Sequence, residues 1–131
     1  NNIDFLKDQE IVKVMYQHAD MNVLFSLESK LSNEIKSNTT IAYSSNRYME
    51  FTATGISKGA ALKELTQLLD IPLEDTLAIG DNYNDISMIE TAGIGTCVAN
   101  AHEDIKKVCD YVSPLSHDEN AVADILEKFV L

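Results

Sequence analysis

The interpretation of the second half of this sequence depends on the stretch Leu77-Ala78-Ile79-Gly80-Asp81-Asn82-Tyr83-Asn84-Asp85. A short apolar run from Thr76 to Ile79 predicts a buried strand, and Gly80-Asp81 ends it. In open α/β sheets, ligands bind beyond the carboxyl ends of the strands. The sequence therefore predicts that Asp81 lies at a ligand-binding edge of a sheet.

The acidic and amide side chains of this stretch suit a metal ion and a phosphate group. A carboxylate at Asp81 is a hard oxygen ligand of the kind that magnesium uses, together with water and substrate phosphate. Asp85 follows four residues later, close enough to bind the metal or to order a metal-bound water. Asn84 and the N–H groups opening the next helix are able to contact phosphate. Considered alone, the stretch is explained equally well by an ordinary turn in which Asp81 or Asn82 caps a helix.

A second candidate element is Thr54-Gly55-Ile56-Ser57-Lys58-Gly59. Ser57 is a good N-cap, which places Lys58 at the start of a helix, where a cation opposes the helix dipole. A lysine in that position gains nothing structurally, which favours a functional role. The alternative is an ordinary solvated lysine, as most single lysines are. Its ammonium could neutralise a phosphate and stabilise charge on the transferring oxygens.

Strands and helices alternate from residue 56 to 131. A helix from Ser57 carries an apolar stripe, a strand is predicted at Ile94–Ala99, and capping boxes are predicted at residues 100–103 and 116–119. Gly93 fits a left-handed position at the end of the helix that precedes Ile94. Alternation of this kind predicts a doubly wound α/β fold with a parallel sheet. The apolar stripe consists of Ala61, Leu62, Leu65, Leu68 and Leu69.

Residues 1 to 55 have a different pattern. A strand is predicted at Ile11–Tyr16, then one helix with apolar residues at helical spacing, then strands at Thr39–Ser44 and Arg47–Thr54 separated by a turn. This is an α+β arrangement, and the boundary between the two units is predicted near Gly55. The helical spacing is carried by Leu24, Leu27, Leu31 and Ile35.

Composition excludes several classes of function. The chain has 131 residues, 45% of them hydrophobic and 24% charged, as in soluble globular proteins. No apolar run reaches the length of a membrane span, so we expect a cytoplasmic protein without membrane contact. The net charge of −11 disfavours nucleic-acid binding. An acidic protein that handles phosphorylated metabolites must neutralise the phosphate locally, with a metal ion and a well-placed lysine.

Other reactive side chains form no recognisable site. Cys97 and Cys109 lack metal-binding spacing and are interpreted as reduced core thiols. His18, His102 and His117 are interpreted as structural or solvated. The sequence contains no serine-hydrolase elbow, no Walker A loop and no dinucleotide-binding loop.

Taken together, the motifs around Lys58 and Gly80–Asp85 resemble the Cof-like, type IIB capped branch of the haloacid dehalogenase superfamily. The resemblance continues through Met88-Ile89-Glu90, Ala92-Gly93 and Asn100-Ala101 to Asp110-Tyr111-Val112. It covers residues 48 to 131 well and residues 1 to 47 loosely. It implies that residues 1–55 are the C-terminal part of an α/β cap and residues 56–131 the C-terminal part of a Rossmann-like core.

The resemblance also implies a reaction and roles for four residues. The family hydrolyses phosphate monoesters through a phospho-aspartyl enzyme with Mg²⁺. Lys58 would pair with the nucleophile and the substrate phosphate, Asp81 would bind magnesium, Asn84 would contact phosphate, and Asp85 would support the metal site. The expected substrate is a small phosphorylated metabolite, either a sugar phosphate or a phosphorylated cofactor.

The nucleophile expected from the resemblance is missing from this sequence. In the family it is the first aspartate of an Asp-x-Asp motif, and that motif occurs nowhere in the 131 residues. We therefore expect the chain to be a C-terminal fragment of a phosphatase and to be inactive alone. An alternative is a non-catalytic remnant that serves as a binding module or forms a homodimer through an exposed sheet edge. A receiver-like phosphoacceptor domain is a third, weaker alternative, because no acidic pair lies upstream of a strand-ending aspartate.

Overall fold

The computed structural model describes Asn2 and residues 4–131, and the chain divides into two compact units. The first unit ends at Ile56 and the second runs from Ser57 to Leu131. The interpretation of residues 1–55 as part of a cap and residues 56–131 as part of a core remains a prediction.

The first unit is a three-stranded antiparallel sheet with two helices. The strand order is β1-β3-β2, with Tyr16 of β1 and Tyr43 of β2 both paired with Met49 of β3. Met49 and Phe51 alternate with more exposed residues and pack with Leu24 in a small core. A 3-10 turn at Asp4–Leu6 precedes the elements β1 (Val14–Gln17), α1 (Met21–Ser29), α2 (Asn33–Asn38), β2 (Thr39–Ser44) and β3 (Tyr48–Ala53).

The single helix predicted through Leu24 and Ile35 is wrong, because the structure has two. The first ends at Ser29, and Ser32 is extended, with φ −63° and ψ 154°. The Ser32 side chain accepts a hydrogen bond from the Ile35 N–H at 3.3 Å. A serine that caps a new helix therefore interrupts an apolar spacing that would have suited one continuous helix.

The second unit has a three-stranded parallel sheet in the order β4-β5-β6, which confirms the predicted α/β class. Its core joins Ile89, Cys97, Val98, Ile105 and Ala121. The elements are α3 (Lys58–Leu69), β4 (Leu77–Gly80), α4 (Ile86–Ile89), β5 (Ile94–Cys97), α5 (Glu103–Lys106), β6 (Tyr111–Val112) and α6 (Ala121–Phe129). Short 3-10 helices occur at Leu73–Asp75, Tyr83–Asp85 and His117–Glu119.

Several local predictions for the second unit need correction. The apolar stripe of α3 is not buried: the exposed fractions of Leu65, Leu68 and Leu69 are 51%, 80% and 55%. The buried positions of α3 are Gly59 and Thr66.

The two predicted capping boxes have different outcomes. The box at residues 116–119 is confirmed, because Ser116 and Glu119 cap each other. The box at residues 100–103 is wrong, because α5 begins after His102, which makes no side-chain capping bond. Asn100 instead contacts His117.

Gly93 has no positive φ, so the predicted left-handed helix end is wrong. A Cβ at this position would lie 2.2 Å from the Glu74 carbonyl oxygen. Glycine is therefore required there by close backbone approach.

Within the described part of the chain, no helix is both long and apolar enough to cross a bilayer.

Candidate functional site

The predicted motif lies at the carboxyl end of β4. The strand ends at Gly80, and the loop Asp81–Asp85 follows it. A Cβ at Gly80 would lie 2.5 Å from the Asp85 Cβ, so no larger residue fits without displacing that side chain. Glycine at position 80 is thus what allows Asp85 to fold back under the end of the strand.

Asp85 closes this loop from within. Its Oδ2 accepts hydrogen bonds from the backbone N–H of Asp81 at 3.0 Å and of Asn82 at 3.1 Å. The Asn82 side chain accepts from the Tyr83 N–H at 2.8 Å, which starts the 3-10 turn. Because the Asp85 side chain is only 5% exposed, it holds the loop from the interior.

Lys58 reaches the same carboxylate from the start of α3. Ser57 caps that helix by accepting from the Ala60 N–H at 3.1 Å, as the sequence predicted. The Lys58 ammonium donates a hydrogen bond to Asp85 Oδ1, and 48% of the lysine side chain stays exposed. A second link joins the segments, because the Gly59 N–H donates to Ser87 Oγ at 3.1 Å.

The ion pair and the backbone donors lower the pKa of Asp85. Burial by itself would raise the pKa of this carboxyl group. The hydrogen bond from Lys58, the two backbone N–H donors and the lysine charge together outweigh burial and hold the pKa below its usual value. Asp85 is therefore an anion at neutral pH, and both of its oxygens are engaged.

Asp81 and Asn84 differ from this pair. The Asp81 side chain is exposed, and its carboxylate makes no hydrogen bond or ion pair with any residue that the structure describes. Asn84 is half-buried in the same loop. The four predicted residues therefore lie on two adjoining segments: Lys58 contacts Asp85, and Asp85 fixes the backbone that carries Asp81.

The chemistry of these donors fits magnesium. Asp81 offers an oxygen ligand at the end of a strand, and magnesium characteristically takes one or two carboxylates with water and phosphate oxygens. Across Asn2 and residues 4–131, no three or more His, Cys, Asp and Glu side chains cluster as a metal cage. Asp85 is better placed to orient the loop than to bind a metal directly, because its oxygens already accept from Lys58 and the backbone.

Two contacts at this edge were not predicted from the sequence. Ser87 Oγ links α4 to α3, and His102 approaches the Asp81 loop from the segment after β5. His102 was interpreted as structural or solvated, and its ring makes a structural contact, a stack on Tyr83 with centroids 4.8 Å apart. No spacing in the sequence relates residues 83 and 102. Only the parallel pairing of β4 with β5 brings them together.

Comparisons with known proteins agree with the resemblance of the motifs. A profile of haloacid dehalogenase-like hydrolases matches residues 1–126. The phosphatase YwpJ of Bacillus subtilis is 44% identical over 91 residues, which is 70% of this chain and 32% of that protein. The 5-amino-6-(5-phospho-D-ribitylamino)uracil phosphatase YcsE of the same organism is 32% identical over 128 residues, covering 96% of this chain and 49% of the relative.

A solved structure of a haloacid dehalogenase-like hydrolase from B. subtilis is also similar. It superposes with a TM-score of 0.82 at 34% identity, and the match covers 98% of this chain and 45% of that one. The match thus spans 32% to 49% of the length of these proteins.

Proposed function

The chain belongs to the haloacid dehalogenase-like hydrolase family, and from that premise we propose that the protein containing it hydrolyses small phosphate monoesters with Mg²⁺. The observation that carries the proposal is the arrangement of Lys58, Asp85 and Asp81 beyond the end of β4. The Lys58 ammonium and the exposed Asp81 carboxylate lie on two segments, and the buried Asp85 carboxylate contacts both of them.

Each side chain has a task in this proposal. Lys58 neutralises the substrate phosphate and stabilises the charge that develops during its transfer. Asp81 holds the metal, and Asn84 donates its amide N–H to a phosphate oxygen. Asp85 keeps Lys58 and the Asp81 backbone in place. The metal ion, when bound, offsets the repulsion between the phosphate and an attacking anion.

Hydrolysis through a phospho-aspartyl enzyme needs a carboxylate nucleophile. The family's Asp-x-Asp motif does not occur in the 131 residues. We therefore propose that these residues alone do not turn over substrate and that the nucleophile belongs to another part of the active protein.

The substrate class that we propose is a sugar phosphate or a phosphorylated cofactor. The name of one relative, 5-amino-6-(5-phospho-D-ribitylamino)uracil phosphatase, specifies a phosphorylated ribityl chain on a uracil ring. The name of that relative supports a small hydroxylated phosphate monoester as the substrate class.

The test is hydrolysis of p-nitrophenyl phosphate by the intact natural protein that contains these residues, with Mg²⁺ and with EDTA. We expect activity that needs Mg²⁺, and a loss of at least about 100-fold in kcat/KM for Lys58→Met and Asp81→Asn. Lys63→Met and Asp70→Asn, exposed residues of α3 and its C-cap, are matched controls that should retain activity. Activity that is independent of metal, or unchanged in both site variants, would refute the proposal.

The non-catalytic alternative rests on one observation. Among the strands that the structure describes, β4 lies at an edge of the parallel sheet, and an edge strand offers backbone groups for pairing with a second copy. Sedimentation of the intact protein measures its oligomeric state. A stable dimer that also lacks phosphatase activity would favour this alternative.

A further inference from the structure

One aromatic contact connects the loop that carries Asp81 to the neighbouring strand. The rings of Tyr83 and His102 are stacked, with centroids 4.8 Å apart and an interplanar angle of 26°. Tyr83 is the first residue of the 3-10 turn after β4, and His102 immediately precedes α5 after β5. The contact therefore joins two segments at the carboxyl edge of the sheet.

The same two segments share a backbone contact. The His102 N–H points to the Asp81 carbonyl oxygen at 3.4 Å, a long hydrogen bond. Asp81 thus receives support on both sides of its Cα: its N–H donates to Asp85, and its C=O accepts from His102. A hydrogen bond of this length is weak alone, and the ring stack lies beside it.

His102 itself is held firmly. The Ala101 N–H donates to the Val98 carbonyl at 3.1 Å, and Ala101 is buried. The His102 carbonyl accepts from the Ile105 N–H at 2.9 Å. The His102 side chain makes no capping hydrogen bond to α5. The stack on Tyr83 places this ring against the loop.

The loop needs such support because Asp81 has no side-chain partner among the described residues. The backbone at Asp81 fixes where its side chain begins, so a shift of the loop would move the carboxylate. Asp85 fixes that backbone from the interior, whereas Tyr83, on the outward face of the turn, is 38% exposed. Groups that orient a metal ligand without touching the metal commonly change its affinity by about 10- to 100-fold.

We propose that His102 is a positioning residue, which holds the Asp81–Asp85 loop through its stack on Tyr83 so that the Asp81 carboxylate faces the metal. This inference rests on the proposed magnesium site. It assigns a task to a histidine that does not contact the metal.

The first experiment measures amide hydrogen exchange in the intact protein without added metal. His102→Ala should reduce protection of the Asp81 and Asn82 N–H groups, whose acceptor is Asp85, and leave the Gly95 N–H protected by Asp110. His102→Phe, which keeps a ring for stacking, should restore protection. This experiment does not depend on magnesium binding. It therefore tests whether the stack holds the loop even if the protein binds no magnesium.

The second experiment is calorimetric titration of Mg²⁺ into the same variants. His102→Ala should raise the Kd for Mg²⁺ by about tenfold, and His102→Phe should stay near the wild-type value. Tyr83→Ala should have the same effect as His102→Ala, and the double variant should lose no more than either single variant. His117→Ala, whose ring contacts Asn100 and Asp118 instead, is the matched control.

The outcomes separate cleanly. Unchanged loop protection in His102→Ala, or a Phe variant no better than the Ala variant, would overturn the positioning role. Additive losses in Tyr83→Ala and His102→Ala would overturn it as well, because the two rings would then act independently. A wild-type protein that binds no Mg²⁺ would refute the proposed function, while the exchange results would still decide whether the stack holds the loop.

Discussion

The Lys58 ammonium and the Asp85 carboxylate meet across 27 residues of sequence, and Asp85 is almost fully buried at the point of contact. The same carboxylate accepts two backbone N–H groups of the Asp81 loop. One ion pair therefore contributes both to the stability of the second unit and to the geometry of its proposed site.

Lys58→Met should lower the free energy of unfolding by about 1 to 3 kcal/mol, because a buried carboxylate loses its charged donor. Urea denaturation at neutral pH measures the change. Lys63→Met, on the exposed side of the same helix, should change stability by less than about 0.5 kcal/mol. In a double-mutant cycle with Asp85→Asn, the two substitutions should be non-additive. Strict additivity would contradict a direct interaction.

The stability contributed by Asp85 should depend on pH in a defined direction. Its folded pKa lies below the unfolded value of about 3.9, so the contribution is fully present well above about pH 4. It is lost as the pH falls through the lower folded pKa, where the carboxylate takes up a proton. The difference in unfolding free energy between the wild type and Asp85→Asn should therefore shrink on acidification. A difference that grows at low pH would contradict the assignment.

Gly59→Ala should destabilise the second unit despite the better helix propensity of alanine. A Cβ at position 59 would lie 2.2 Å from the Ser87 carbonyl oxygen. Alanine gains about 1 kcal/mol in a helix, but overpacking costs about 1 to 3 kcal/mol and can exceed that gain. Thermal or urea unfolding should show a net loss. The exposed Ala61→Gly measures the propensity term alone, and a stabilised Gly59→Ala would show that α3 and α4 are not in close contact.

Asp124→Ala should destabilise the end of the sheet by about 2 to 3 kcal/mol. Asp124 accepts from the buried Ser113 hydroxyl at 2.7 Å and from the Tyr111 hydroxyl at 3.2 Å. Burial and the hydrogen bond from the Tyr111 hydroxyl to Asp124 raise the pKa of Tyr111, so the substitution should also lower that pKa toward its usual value. Denaturation and phenolate absorbance measure the two effects. Glu127→Ala, exposed on the same helix, should change neither.

The parallel sheet and its helices were predictable from the sequence because they depend on local signals. Apolar runs ended by Gly80-Asp81, a serine cap at Ser57 and a reciprocal cap between Ser116 and Glu119 each act within a few residues. The haloacid dehalogenase resemblance combines several such signals, and the match of the family profile over residues 1–126 confirms it.

Features that depend on tertiary contact could not be predicted. The exposure of Leu68 depends on what packs against α3, which helical spacing does not specify. Gly93 is explained by the Glu74 backbone beside it and not by a helix end. The stack of Tyr83 on His102 requires two strands to pair first. The role of Asp85 was open between metal binding and support, and its two engaged oxygens favour support.

The buried position of Asp85 also has a consequence for how natural or selected variants would be interpreted. Because one side chain closes the loop and anchors α3, its replacement would first reduce the amount of folded protein. A genetic screen scored by enzyme yield would classify Asp85 as a folding residue, whereas Asp81, exposed and without a partner among the described residues, would appear as a loss of activity in a normally abundant protein. Measuring abundance and turnover separately for each variant would reveal that the two aspartates serve the same loop.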